Sequence, residues 1–312
     1  MRIVFMGTPD FAVPSLKMLI DEGYEVVAVV TQPDKPKGRG NKLTAPPVKE
    51  CAVEKGIPVL QPGRIKTQEF TDTLKALKPD LIVTCAYGKI LPDYLLQIPP
   101  MGCINVHGSL LPKYRGAAPI QWSIINGDKV TGITTMMMDV GMDTGDMLLK
   151  REMDIPENMT AGELFEELSR LGADTLRDTL KKLQEGVLTR TPQPHEEATY
   201  VTIIDKEVGK IDWSKPARDI HNLVRGTDPW PGAYTFYKED RIRIWKTENV
   251  SGKGIDFKPG TICEVMKDGL VLATGEGLIK IVEIQLDSGK RMAAGNNIYI
   301  RGQRLGEGEI LG

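Results

Sequence analysis

Strand and helix signals alternate through residue 188, and a run of short strands follows residue 205. Together they predict an α/β fold class, a doubly wound Rossmann-like parallel sheet domain followed by a small OB-like β-barrel domain. The length of 312 residues, 41% of them hydrophobic, supports both cores, since one domain typically takes roughly 100 to 200 residues. The expected division is a first domain at 1–188, a linker at 189–205 and a C-terminal barrel at 206–312.

Residues 3–6 are an apolar run ended by Gly7-Thr8-Pro9-Asp10. Leu16, Leu19 and Ile20 then recur at helical spacing up to Gly23, and residues 26–30 read as a second buried strand. The first turn lacks G-x-G-x-x-G, whose glycines let a backbone close on a pyrophosphate, so a nicotinamide or flavin enzyme is disfavoured. Residues 48–55, 57–60, 68–77 and 80–85 continue as helix, strand, helix and strand.

Between them lies TQPDKPKGRGNKLTAPPV at 31–48, with Lys35, Lys37, Arg39 and Lys42 against one acid, Asp34. Its prolines and glycines predict a long basic surface loop without secondary structure, a kind of loop that is usually functional or disordered.

Residues 103–107 alternate, so Ile104 and Val106 share one strand face and Asn105 and His107 the other. A Gly/Pro-rich loop follows to Gly116. The carboxyl end of such a strand is where open α/β sheets bind ligands, and an amide beside an imidazole needs partners or a cavity there.

Residues 118–125 read as a helix and 131–139 as a strand, followed by a polar loop at 140–146. Asp139, Asp143 and Asp146 do not fit calcium-loop spacing, so this loop reads as a carboxylate donor. Thr160-Ala161-Gly162-Glu163 is a capping box opening a helix with a Leu stripe that ends at Gly186. Residues 188–205 are rich in Pro, Thr and Glu and read as a linker in which His195 is solvated.

Short β-rich runs at 210–213, 234–237, 242–246, 261–265, 270–274 and 278–285, with one helix at 217–224, suggest the barrel. From Lys206 onward 17 Lys and Arg face 15 Asp and Glu, so nucleic-acid binding by this half is permitted rather than demonstrated. The net charge of −2 gives no global sign of a nucleic-acid or membrane-surface partner. Four separated cysteines, Cys51, Cys85, Cys103 and Cys263, suggest neither a disulfide framework nor a metal site. Without a signal peptide or a membrane span, a soluble, cytoplasmic monomer is expected.

Asn105 can donate to a developing oxyanion, and His107 can donate or move a proton near neutral pH. Asp143, from the neighbouring sheet-end loop, can orient or charge the imidazole. No Ser lies in a G-x-S-x-G elbow, so acyl-enzyme catalysis is disfavoured. The pattern fits direct attack of a bound amine on a bound carbonyl.

Asn105-Val106-His107-Gly108-Ser109-Leu110-Leu111-Pro112, then Tyr114-Arg115-Gly116-Ala117-Ala118-Pro119, then Met138-Asp139-Val140-Gly141-Met142-Asp143-Thr144-Gly145 resemble the signature of folate-dependent formyltransferases. The resemblance implies catalytic roles for Asn105, His107 and Asp143. It also implies a 10-formyltetrahydrofolate donor bound by Ser109, Leu110, Leu111 and Pro112. Phe5-Met6-Gly7-Thr8-Pro9-Asp10, Gly38-Arg39-Gly40 and Asp228-Pro229-Trp230-Pro231-Gly232 resemble the branch whose acceptor is methionyl-initiator tRNA. For that branch the resemblance implies tRNA contacts from the basic loop, with Lys35, Lys37, Arg39 and Lys42 as candidates, and further contacts from the barrel.

Two rival readings differ in substrate or in class. A formyltransferase acting on a small amine, such as glycinamide ribonucleotide or an aminosugar nucleotide, would need neither basic loop nor barrel. A non-catalytic RNA-binding protein would have no use for Asn105, His107 and Asp143 together.

Overall fold

The computed structural model describes residues 1–37, 42–251, 257–287, 289–295 and 298–312. The chain runs β1 (Arg2–Gly7), α1 (Val13–Asp21), β2 (Glu25–Val30), β3 (Lys35–Lys37), β4 (Lys42–Thr44), α2 (Pro47–Glu54), β5 (Val59–Leu60), α3 (Gln68–Leu77) and β6 (Leu81–Cys85). It continues through α4 (Asp93–Leu96), β7 (Cys103–His107), β8 (Arg115–Gly116), α5 (Pro119–Ile125), β9 (Val130–Met137), β10 (Met147–Asp154), α6 (Ala161–Gln184) and β11 (Tyr200–Val201). The described residues fall into two compact units that interleave along the chain. The first holds Met1–Pro119, Val130–Asp154 and Phe165–Val201; the second holds Ile120–Lys129, Ile155–Leu164 and Thr202–Gly312.

The first unit is built on a seven-stranded sheet in the order β10-β9-β7-β6-β1-β2-β5. From β7 to β5 the strands are parallel. The chain moves outward from β1 to β2 and β5, then returns to β6 on the other side. That reversal makes a doubly wound sheet with its switch point between β1 and β6, the position at whose carboxyl ends open α/β sheets bind ligands.

At one edge the sheet differs from the all-parallel expectation: β9 is antiparallel to β7, and β10 antiparallel to β9. An antiparallel return needs no crossover helix, so the polar loop at 138–146 joins β9 directly to β10. Along β10 buried positions give way to alternating exposure, as on a sheet with one wet face.

The capping box forms as its residues dictate. Thr160 N donates to Glu163 Oε2 at 2.8 Å, and Glu163 N to Thr160 Oγ1 at 3.3 Å. Further along α6, Leu168, Leu176 and Leu180 are fully buried, each stabilising by roughly 1.5–3 kcal/mol relative to exposure. A Cβ on Gly172 would stand 3.1 Å from Val106 Cγ1, so α6 lies against the Val106 face of β7. Period-2 alternation then turns Asn105 and His107 to the opposite face.

The basic segment is not a structureless loop. Its two ends pair as an antiparallel ribbon, Lys35 opposite Thr44 and Lys37 opposite Lys42. The ribbon's base is fixed by Lys49, whose ammonium donates to both Asp34 carboxylate oxygens and to Gln61 Oε1, each at 2.8 Å. Bonds from Lys49 and Gln61 hold the Asp34 pKa below the usual carboxylate value. The segment's only acid is thus already neutralised.

The stretch expected to be a linker is tied to the first unit as far as Val201. Thr191 and Met147 exchange backbone hydrogen bonds at 2.9 Å, and β11 pairs in parallel with β8.

The second unit contains α5 residues from Ile120 onward, α7 (Ala217–Gly226), β12 (Ala233–Tyr237), β13 (Asp240–Val250), β14 (Ile262–Met266), β15 (Gly269–Ala273), β16 (Leu278–Leu286) and β17 (Met292–Ala293). Its antiparallel sheet runs β12-β13-β16-β15-β14, with β17 added to β16. Inward residues such as Ile242, Ile244, Leu272 and Ile281 make its core. The final residues touch both sheet edges: Ile262 N donates to Glu309 O at 2.8 Å on the β14 side, and Gly312 N to Phe236 O at 2.9 Å on β12. This links the edges of the sheet in a barrel-like manner. Among the described residues no helix is long and apolar enough to cross a membrane.

Candidate active site

Asn105 and His107 stand on the last three residues of β7, beside the switch point. In register with Asn105 on β6 is Thr84, whose hydroxyl donates to Asn105 Oδ1 at 2.8 Å. With its oxygen committed, the partly exposed amide keeps Nδ2 as a donor with no protein partner among the described residues.

His107 is buried, and its Nε2 lies 2.9 Å from the carbonyl oxygen of Tyr114. A carbonyl only accepts, so Nε2 carries hydrogen and donates. In the neutral ring Nδ1 therefore holds the lone pair. Nδ1 lies 3.8 Å from Asp143 Oδ1, beyond a hydrogen bond but within ion-pair contact.

Asp143 comes from the β9–β10 loop, in the left-handed region at φ 54°. Its second oxygen, Oδ2, accepts from Gly116 N at 2.8 Å. The other acids of that loop do different work. Asp139 Oδ1 accepts from Gly141 N and Thr144 Oγ1 at 3.0 and 2.6 Å, closing the turn. Among the described residues no group of three His, Cys, Asp or Glu side chains is placed to hold a metal ion.

The 109–112 segment is mostly interior. Ser109 is fully buried and its hydroxyl donates to Lys113 O at 2.7 Å, so that hydroxyl closes the loop itself. Thr134 ties the segment to β9, donating to Ser109 O at 2.7 Å and accepting from Leu111 N at 3.0 Å. Leu111 and Pro112 are buried and Leu110 partly exposed. Leu110 is therefore the one side chain of this segment that is even partly exposed.

Lys35 and Lys42 are exposed. Lys35 faces Thr44, two residues beyond Lys42, so the two lysines share one ribbon face. The ribbon leaves the carboxyl end of β2, the same end of the parallel strands that carries Asn105 and His107. Lys37 ends β3, and Arg39 lies outside the described residues.

Sequence reasoning missed the residues that hold the trio. Thr84 could be found by asking which residue lies beside Asn105 on the neighbouring strand. Arg115 and Gln193 carry no such signal: Arg115 Nη2 donates to Gln193 Oε1 at 2.8 Å across 78 residues of chain. His195 is exposed as expected, yet its Nδ1 lies 3.1 Å from Arg115 Nη2.

Comparison with known proteins gives consistent matches. The family model described as formyl transferase matches residues 1–180, and the formyl transferase C-terminal domain matches 203–301. A methionyl-tRNA formyltransferase of Acetivibrio thermocellus is 62% identical over 312 residues, covering all of both chains. One from Clostridioides difficile is 54% identical over 312 residues, again covering all of both. An N-formyltransferase from Helicobacter canadensis, solved with folinic acid and dTDP-3-aminofucose, matches with a TM-score of 0.68 at 20% identity. The match covers 90% of this chain and 98% of that one, and supports the fold.

Proposed function

Because the chain belongs to the methionyl-tRNA formyltransferase family, we propose that Asn105, His107 and Asp143 carry a direct formyl transfer from 10-formyltetrahydrofolate to the amino group of methionyl-initiator tRNA. The chain is a folate-dependent enzyme of translation initiation. The observation that supports this assignment of roles is the His107 geometry, with Nε2 fixed on Tyr114 O and Nδ1 facing Asp143 at 3.8 Å.

The acceptor's α-amino group titrates near ~7.7 to 8.0, so a useful fraction is neutral and nucleophilic at physiological pH. As its nitrogen bonds to the formyl carbon, the carbonyl electron pair moves onto oxygen. Asn105 Nδ2 donates to that oxyanion. Oxyanion donors of this kind contribute roughly 3 kcal/mol in the transition state.

The nitrogen then carries a surplus proton, which His107 Nδ1 accepts. The resulting imidazolium is stabilised by Asp143, whose position is held by Gly116 N. When the carbon–nitrogen bond to the folate breaks, the same proton passes to the departing nitrogen and the ring returns to neutral. No covalent formyl-enzyme is required.

Two surfaces serve the substrates. The 109–112 backbone and Leu110 form part of the folate site. The basic ribbon, with Lys35, Lys37, Arg39 and Lys42, meets the tRNA acceptor end, where phosphates attract Lys and Arg, and the C-terminal domain adds further tRNA contacts. Lys35 and Lys42 are exposed, and the segment's one acid, Asp34, is already paired with Lys49, so a phosphate backbone meets uncompensated positive charge there. One chain supplies all three reacting side chains, so a monomer suffices. All four cysteines are free, which supports a reducing, cytoplasmic setting.

The test compares acceptors. With 10-formyltetrahydrofolate as donor, methionyl-initiator tRNA is formylated, while glycinamide ribonucleotide and aminosugar nucleotides are not. Transfer to a small amine with no tRNA requirement would reassign the substrate. Binding of tRNA with no folate binding would remove the enzymatic reading.

A further inference from the structure

Asp143 holds a left-handed backbone that is sparsely populated by non-glycine residues and persists where the surroundings support it. The side chain that does so is Gln193. Its Nε2 donates to Asp143 O at 2.9 Å and to Gly145 O at 2.7 Å, spanning the turn and using both amide hydrogens. Its Oε1 accepts from Arg115 Nε at 3.1 Å and Nη2 at 2.8 Å. All four hydrogen-bonding positions of the amide are filled, and Gln193 is 4% exposed.

Arg115 is 1% exposed and has no carboxylate partner among the described residues. Nη1 donates to the Tyr200 hydroxyl at 3.0 Å, and Nη2 approaches His195 Nδ1 at 3.1 Å. The guanidinium also lies 5.7 Å from the Tyr200 ring centroid. A buried cation is costly unless its donors are used, and here two of its nitrogens, Nε and Nη2, converge on one neutral amide while Nη1 serves Tyr200. The next residue, Gly116, donates its N–H to Asp143 Oδ2. A Cβ on Gly116 would stand 2.5 Å from Val201 O, so β11 fixes that backbone. A closed ring results: Asp143 carboxylate, Gly116 N–H, Arg115 guanidinium, Gln193 amide, Asp143 carbonyl.

We propose that Gln193, polarised and held by Arg115, is the positioning residue that sets Asp143 against His107. It acts through Asp143 and does not touch the substrates. The proposal rests on the roles given above to Asp143 and His107. Its consequence is that a segment resembling an interdomain linker in composition is part of the catalytic apparatus, acting on kcat rather than on substrate binding.

The test is a double-mutant cycle on the full chain, reading kcat and the KM for charged tRNA and for the folate donor. Gln193→Leu is expected to lower kcat about 10- to 100-fold, the scale of a misplaced catalytic group, with both KM values within about twofold. Gln193→Glu still accepts from Arg115 but cannot donate to the two carbonyls, and shows the same kcat loss. In an Asp143→Ala background, Gln193→Leu causes no further loss. Unchanged kcat in both Gln193 variants, or equal losses with and without Asp143, would overturn the proposal. Full kcat in Asp143→Ala alone would overturn the role of Asp143 itself, a failure distinct from that of the clamp.

Discussion

The hydroxyl of Thr84 donates to the side-chain oxygen of Asn105 at 2.8 Å, from a residue in register on the adjacent parallel strand. This bond decides which end of the amide is left as a donor. Thr84→Val removes the donor and lets the amide rotate. We expect kcat to fall about fivefold, the equivalent of about 1 kcal/mol for a lost hydrogen bond, while Thr84→Ser retains activity. Steady-state formyl transfer measures both.

The basic ribbon makes a salt-dependent prediction. Lys35→Ala and Lys42→Ala each weaken tRNA binding, and each lowers the slope of log affinity against log salt by about 0.7 to 0.9. Asp34→Asn acts differently, because it loosens the ribbon base by weakening the Lys49 contact. It raises the KM for tRNA without a matching change in salt slope. Binding titrations at several salt concentrations separate the two.

How far the sequence alone reached follows from where the signals lie. Asn105 and His107 were legible because strand alternation is local, and Asp143 because its loop leaves the next strand at the same sheet end. The β3–β4 ribbon was not, since Lys and Pro dominate it and neither Asn-Gly nor Asp-Gly, the strongest hairpin signals, is present. Nor was β10, where Lys150, Arg151, Glu152 and Asp154 make one half of a half-buried strand read as solvated chain. Gln193 and Thr84 act through tertiary partners 50 and 21 residues away, beyond the reach of any periodicity.

Stability should depend on His221, which is buried with Nδ1 2.9 Å from Thr247 Oγ1 and Nε2 3.2 Å from Glu157 O. Burial first, and then nearby Arg225, holds its pKa below 6.5, while Glu157 opposes the shift. The unfolded chain therefore takes up this proton more readily than the folded one. Its contribution is fully present above about pH 6.5 and is lost as pH falls from there toward the lower folded pKa. Thermal melts from pH 8 to pH 5 should show that loss, and His221→Gln should flatten it.

The cysteines should differ in reactivity. Burial pushes the Cys85 and Cys103 thiols up to about 12, and Cys51 is buried as well. Cys263 is partly exposed. A thiol reagent at pH 8 should label Cys263 first in the native protein and reach all four only on unfolding. Rapid labelling of Cys85 would contradict the packing at the end of β6.

The most direct test of the central claim is single-turnover formylation of methionyl-initiator tRNA by the wild type, Asn105→Ala, His107→Ala and the double variant. We expect each single variant to lose about 100- to 1,000-fold in the transfer rate, with folate and tRNA binding retained. The double variant should lose less than the product of the two, as residues acting as one unit do. Transfer at the wild-type rate in either single variant would contradict the assignment of the chemistry to the end of β7.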